Sequence, residues 1–289
     1  MDIRAILMGL AFAMMWSSAF TSARIIVADA SPMAALTLRY LISGCLGVGI
    51  ALALGQSWRL TPAQWRATVI FGVLQNAVYL GLNFVAMQTI QASVAAIIAS
   101  TMPLLVALAG WMFLGERLRP LGIAGLIAGV AGVALIMGAR INGSVDITGL
   151  ILCGIGVVAL TIATLSVRGA TSGGNFLMIV GLQMLVGCVA CGLATLLFET
   201  PRLNPTWELA AAFAYTTIVP GLAATFVWFW LVNRIGATRA ATFHFLNPFL
   251  GVAVAALLLS EPLGGRDIIG VAIIALGILA VQISRQRAS

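Results

Sequence analysis

Residues 92–137 read ASVAAIIASTMPLLVALAGWMFLGERLRPLGIAGLIAGVAGVALIM, and residues 237–282 read ATRAATFHFLNPFLGVAVAALLLSEPLGGRDIIGVAIIALGILAVQ. The second stretch matches the first without a gap, 145 positions later. Pro103 and Glu116 become Pro248 and Glu261, while Leu114, Gly125 and Gly132 become Leu259, Gly270 and Gly277. Both copies are long apolar runs interrupted by a proline, which lacks an N–H and breaks a helix. A duplicated membrane unit with one broken helix in each half is the pattern expected of a secondary transporter.

Composition agrees. The chain is 62% hydrophobic and 8% charged, whereas a soluble domain carries about 25% charged residues. Short charged clusters divide the 289 residues into ten apolar stretches, at roughly 4–27, 33–54, 65–87, 92–114, 120–139, 147–168, 175–198, 209–233, 238–259 and 266–284. Each is about 20 residues, the length that spans a bilayer as a helix. The runs are continuous and do not alternate as barrel strands do, which favours helices over a barrel. The expected fold is therefore an all-α polytopic membrane protein with ten transmembrane helices. Cys45, Cys153, Cys188 and Cys191 all fall inside spans, as small packing residues.

The net charge of +7 comes from arginine alone, since there is no lysine. It reads as topology, not as nucleic-acid binding. Arg4, Arg59, Arg66, Arg117, Arg119, Arg168, Arg234, Arg239, Arg285 and Arg287 fall on one side; Arg24, Arg140, Arg202 and Arg266 fall on the other. The richer side is cytoplasmic, which places both termini inside, in the inner (plasma) membrane.

The repeat extends upstream. The third span aligns with the eighth, Phe84 on Phe229 and Gln88 on Asn233. With a one-residue shift LRYLISGCLGV (38–48) aligns with LQMLVGCVACG (182–192), and Arg24 with Arg168. The chain thus divides into two five-helix repeats, 1–140 and 141–289. Five is odd, so the second repeat enters the membrane inverted, and a solute site is expected between the repeats near mid-bilayer.

MMWSSAF (14–20) on the first span, LTLRYLISG (36–44) on the second, and Pro-containing helices ending LGER and LSEP resemble the EamA type of the drug/metabolite transporter (DMT) superfamily. The resemblance covers essentially the whole chain. Within that family the chain is similar to exporters of amino acids and metabolites, including the YddG-type exporters of aromatic amino acids. The small four-helix members use a glutamate in the first span for protons and cationic drugs. Here that span has no acidic residue beyond Asp2.

Candidate solute-binding residues follow from polar groups at membrane depth. Arg39 lies about seven residues into the second span. A charge there faces the bundle interior or water, either as a partner for a solute carboxylate or tied to backbone carbonyls. Gly72, Asn76, Tyr79 and Asn83 recur at helical spacing on the third span. They form either a pocket wall or a set of interhelical bonds. The repeat mates of Asn76, Tyr79 and Asn83, which are Gly221, Ala224 and Trp228, make the opposing surface small and aromatic. That combination suits a flat apolar solute with a polar end. Trp16 and Ser17 on the first span, with Thr21, are similar candidates, as are Thr161 and Thr164 on the sixth. His244 and Asn247 sit nearly one turn apart before Pro248; they face a cavity, or the histidine is a neutral side chain bonded to a neighbour. Pro103 and Pro248 are the expected kinks and gating points. Glu116 and Glu261 resemble caps or inter-loop pairs, and Gly125 with Gly129 a helix-packing motif.

These readings point to a carrier that exports amino acids, aromatic ones included, or related small metabolites by alternating access, functioning as a monomer. Its partners are the solute and the lipid bilayer, with no cofactor, metal or nucleic acid. Efflux of hydrophobic drugs or cations is the rival within transport. An intramembrane enzyme is disfavoured by the lack of HExxH, GxSxG or paired intramembrane carboxylates. All eight acidic residues lie at span ends or loops. That leaves His244 as the one candidate proton carrier, and passive transport is expected.

Overall fold

The computed structural model describes residues 3–141, 146–166 and 173–286. Arg168 and Arg287, used above for orientation, lie outside them. The described residues fold into ten helical passes. α1 is Ile3–Asp29, α2 Pro32–Ala53, α3 Pro62–Ala86, α4 Ala92–Phe113 and α5 Pro120–Ile141. α6 is Ile147–Ser166, α7 Phe176–Phe198 and α10 Gly265–Gln286. α8 comprises Trp207–Ile218, a π-helical stretch Val219–Ala223, and Ala224–Ile235. α9 comprises Ala237–Ala241, a 3₁₀ stretch Thr242–Leu246, and Asn247–Leu259. Nine of these runs are long and apolar enough to cross a membrane among the described residues, and α5 adds a shorter apolar segment, Pro120–Ile136.

Local chemistry sets the helix starts. Pro32 and Pro62 occupy first-turn positions, where a missing N–H costs nothing. Thr61 and Gln64 form a reciprocal capping box on α3, with bonds of 2.9 and 3.3 Å. Asp146 accepts from Thr148 N and Gly149 N at the start of α6. Two carboxylates cap helices other than their own. Glu199 accepts from Met33 N and Ala34 N of α2, and Glu261 from Ala92 N and Ser93 N of α4. The sequence left Glu261 as a cap or an inter-loop partner; it is a cap.

α4 and α9 are both irregular next to their prolines. Pro248 cannot donate to the His244 carbonyl, and the Asn247 N–H takes that carbonyl instead, tightening the turn to 3₁₀. At the other copy α4 is interrupted at Thr101, whose N–H bonds Ile98 O at 3.1 Å, before Met102–Phe113 resumes. A second irregularity is not legible in the amino-acid order. α3 is π-helical over Gly72–Leu80 and α8 over Val219–Ala223, at corresponding positions of the repeat. Pro220 lies inside the latter and removes one N–H.

The chain forms two compact units. The first holds α1 through Thr21, α4, α5, α8 from Ala223, α9 and α10; the second holds the rest of α1, α2, α3, most of α6, α7, and α8 through Leu222. Each unit therefore draws on both repeats. Within the first, α5 and α10 run antiparallel with backbones in contact. A Cβ on Gly125 would lie 2.6 Å from Gly277 O, and one on Gly132 2.8 Å from Gly270 O. Gly125 and Gly129 thus pack helices inside the chain. α4 also lies antiparallel to α9: Ala92 meets Glu261, and Ala96 meets Gly251. Within the second unit α2 crosses α7 in the same sense, Gly47 against Gly181 and Gly44 against Leu185. Three helices thus pack against their own inverted mates, the outcome expected of an odd-numbered duplication. Leu196, Phe198 and Leu257 are more than 80% exposed, a surface suited to acyl chains.

Candidate functional site

The predicted residues fall into two groups, one in each unit. In the first unit, α1 contributes Phe12, Trp16 and Ser17, α8 contributes Trp228, and α9 contributes His244 and Asn247. The Phe12 ring lies 4.7 Å from Trp228 and 5.8 Å from Trp16. His244 meets all three rings, at 5.3 Å from Phe12, 5.2 Å from Trp228 and 6.4 Å from Trp16, edge-on to Phe12 and Trp16. Its Nδ1 lies 3.0 Å from Asn247 Nδ2. An amide nitrogen can only donate, so Nδ1 is the acceptor, and the neutral ring carries its proton on Nε2. Ser17 Oγ donates weakly to Asn247 O and Oδ1, at 3.4 and 3.5 Å. Ser17 and Asn247 are buried, while Trp16, Trp228 and His244 are half-buried. The arrangement is a box of aromatic faces with hydrogen-bonding groups at the helix break before Pro248.

The box is positioned by small residues. Gly9 lies so close to the Phe243 ring that a Cβ would fall 2.3 Å from it. Behind it Ala5, Leu231, Ala240 and Phe243 form a buried cluster on which Trp228 packs. Phe12 was missed from sequence; its place four residues before Trp16, on the same helical face, was the available signal.

In the second unit the polar stripe of α3 is engaged by its neighbours. Asn76 Nδ2 donates to Gln183 O of α7 at 2.9 Å. Asn83 Nδ2 donates to Tyr79 O at 2.8 Å, and its Oδ1 accepts from Cys153 Sγ of α6 at 3.4 Å. Gly72 abuts Gln183 O and Val186, while Gly187 abuts Asn76 and Gly156 abuts Asn83. Asn76, Tyr79 and Asn83 are all at most 5% exposed. Both amide nitrogens are thus used in holding α3 to itself and to α7. Tyr40, not singled out from sequence, donates from its hydroxyl to Asn76 O at 3.1 Å, supporting the π-helical stretch. Thr161 and Thr164 hydroxyls return to carbonyls one turn back, and Arg24 donates to Met87 O.

Arg39 is buried beside Tyr40, Ser43 and Gly221. Ser43, one turn beyond Arg39 on α2, was also missed. Among the described residues no cluster of three or more His, Cys, Asp or Glu side chains is arranged to hold a metal.

Comparison with known proteins supplies the family. The model for the EamA-like transporter family matches residues 3–138 and again residues 147–283. The uncharacterized transporter YvbV of Bacillus subtilis is 25% identical over 250 residues, covering 86% of this chain and 82% of its own. An uncharacterized transporter of Archaeoglobus fulgidus is 28% identical over 269 residues, covering 92% and 94%. The uncharacterized inner membrane transporter YedA of Escherichia coli is 26% identical over 283 residues, covering 94% and 88%. A crystal structure aligned over 100% of both chains has a TM-score of 0.71 at 23% identity and shares the fold. With its five-helix unit present twice, three helices packed on their own mates, and the family matched in each half, this chain belongs to the EamA-like transporter family of the drug/metabolite transporter superfamily and is a multi-pass membrane transporter.

Proposed function

We propose that this transporter exports amino acids, aromatic ones included, or related small metabolites by alternating access, as a monomer in the inner membrane with both termini in the cytoplasm. The observation that carries this reading is the box of Phe12, Trp16 and Trp228 around His244. Flat rings favour a flat apolar group, and Ser17, Asn247 and His244 offer donors and acceptors for its polar end. Asn76, Tyr79 and Asn83 act in this reading as the wall that shapes the second unit, their amides already bonded. Pro103 and Pro248 mark the points where α4 and α9 bend during the cycle. Transport runs down the solute's own gradient, because the acidic side chains sit at helix ends and loops. His244 accepts at Nδ1 from Asn247 and is surrounded by rings, so it is engaged within the box.

The test is flux in liposomes containing only the purified protein. Labelled phenylalanine is expected to equilibrate saturably, at a rate unchanged when an uncoupler collapses the pH gradient. Flux of tetraphenylphosphonium with none of any amino acid would replace this reading by cation efflux. Uphill phenylalanine accumulation driven by an imposed pH gradient would refute passive transport, and loss of that drive in His244→Ala would identify the proton carrier.

A further inference from the structure

Among the described residues of the second unit, Arg39 has no acidic side chain bonded to it. Arg39 is 7% exposed, and its Nε is buried without a hydrogen-bond partner. Ser43, one turn along the same face of α2, is 1% exposed, and its Oγ is equally without one. Both border the π-helical stretch of α8 at Gly221. A Cβ there would stand 3.1 Å from Thr216 O, 3.5 Å from Arg39 Nη2 and 3.6 Å from Ser43 Oγ, so the two side chains pack closely on the α8 backbone. The side chain that Gly221 lacks would have faced both groups. The unit's acids are committed elsewhere. Glu199 caps α2, Asp29 binds Asn204 and Thr206, and Glu208 lies in the first turn of α8, about 20 Å along the helix axis from Gly221.

A buried guanidinium with an unbonded Nε at membrane depth is costly, and it is relieved by an anion that can take its N–H donors. A carboxylate suits the guanidinium fork best, because two oxygens accept in parallel. We propose that Arg39 and Ser43, which lie beside Gly221, form a carboxylate-binding site, where the transporter holds the acid group of its solute. This rests on the reading that the solutes are amino acids or similar metabolites, and it names the group they must share.

Benzoate is a suitable probe. The purified wild-type protein is titrated in detergent at constant ionic strength with sodium benzoate, with benzamide and with chloride, and its Tm is followed; a ligand of the folded state raises Tm. Benzoate is expected to raise Tm saturably, and the neutral amide and chloride are not. Ser43→Ala loses only an unbonded hydroxyl, so it should fold as wild type and weaken benzoate roughly tenfold or more, the worth of a hydrogen bond to a charged group. Arg39→Gln should abolish the shift while leaving the ligand-free Tm unchanged or higher, since it removes a buried charge. The proposal is overturned by any of four results: no benzoate shift, an equal shift with benzamide or chloride, Ser43→Ala responding as wild type, or a marked fall in the ligand-free Tm of Arg39→Gln, which would make the arginine a structural strut. Phenylalanine flux is measured on the same variants. Flux retained in Arg39→Gln without benzoate binding sinks the site and leaves amino-acid transport standing. Benzoate binding through Arg39 with no amino-acid flux sinks the transport reading and leaves the site.

Discussion

Trp228 and Phe12 touch at 4.7 Å, yet their substitutions should read differently. Trp228 is half-buried, while Phe12 is 2% exposed. Truncating Phe12 opens a cavity and should cost about 3–5 kcal/mol of stability. Trp228→Ala should instead lower the apparent affinity for phenylalanine about tenfold, the worth of an aromatic contact of about 1.4 kcal/mol, with a smaller loss of Tm. Flux and thermal unfolding on both variants check this, and equal Tm losses would count against the box. Asp146 makes a separate prediction. The Thr89 hydroxyl donates to its carboxylate at 2.6 Å, and the Thr148 and Gly149 amides add to this. The Thr89 bond above all, with the amides, holds its pKa below the ordinary aspartate value, against an opposing effect of desolvation. The folded pKa is depressed, so its stabilisation is present above the unfolded value and is lost as pH falls through the folded one. A Tm–pH series should show Asp146→Asn less stable than wild type near neutrality, the gap closing in acid. The residue types at these sites were legible from sequence. The bond that each side chain makes was not, because Asn76 could turn to solute or to a neighbouring carbonyl, and only the position of Gln183 O decided it.

Helix ends and helix seams carry the next two expectations. Glu261 accepts from Ala92 N at 2.7 Å and Ser93 N at 3.0 Å, two donors that α4 cannot satisfy itself. Glu261→Ala should destabilise by about 1–3 kcal/mol, seen as a lower Tm in detergent, and Glu199→Ala should do the same through α2. Glycines separate cleanly by contact. A Cβ on Gly277 would lie 2.6 Å from Gly125 O, backbone against backbone, whereas one on Gly49 meets nothing within 4 Å. Gly277→Ala should therefore force α5 and α10 apart and depress Tm, while Gly49→Ala should gain up to about 1 kcal/mol from helix propensity. Equal effects at the two positions would contradict the seam. The proline breaks were readable because proline's missing N–H is a local fact. The π-helical stretches of α3 and α8 were not, since they depend on what satisfies the displaced carbonyls, such as Tyr40 Oη on Asn76 O.

For the molecule, the arginine bias predicts topology. With the native cysteines replaced, Leu203→Cys, in the loop before α8, should react with a membrane-impermeant reagent added outside intact cells. Arg66→Cys, near the start of α3, should not. The reverse pattern would invert the orientation proposed here.

Duplication, ten passes, antiparallel repeats and two broken helices all follow from the amino-acid order, because hydropathy, proline chemistry and self-similarity are local or additive properties. Register between helices is neither. The pairing of α5 with α10 and of α2 with α7, the commitment of the α3 amides to packing, and the burial of Arg39 beside Gly221 depend on which surfaces meet. Side chains distant in sequence fix those contacts jointly, so they emerged only when the helices were assembled.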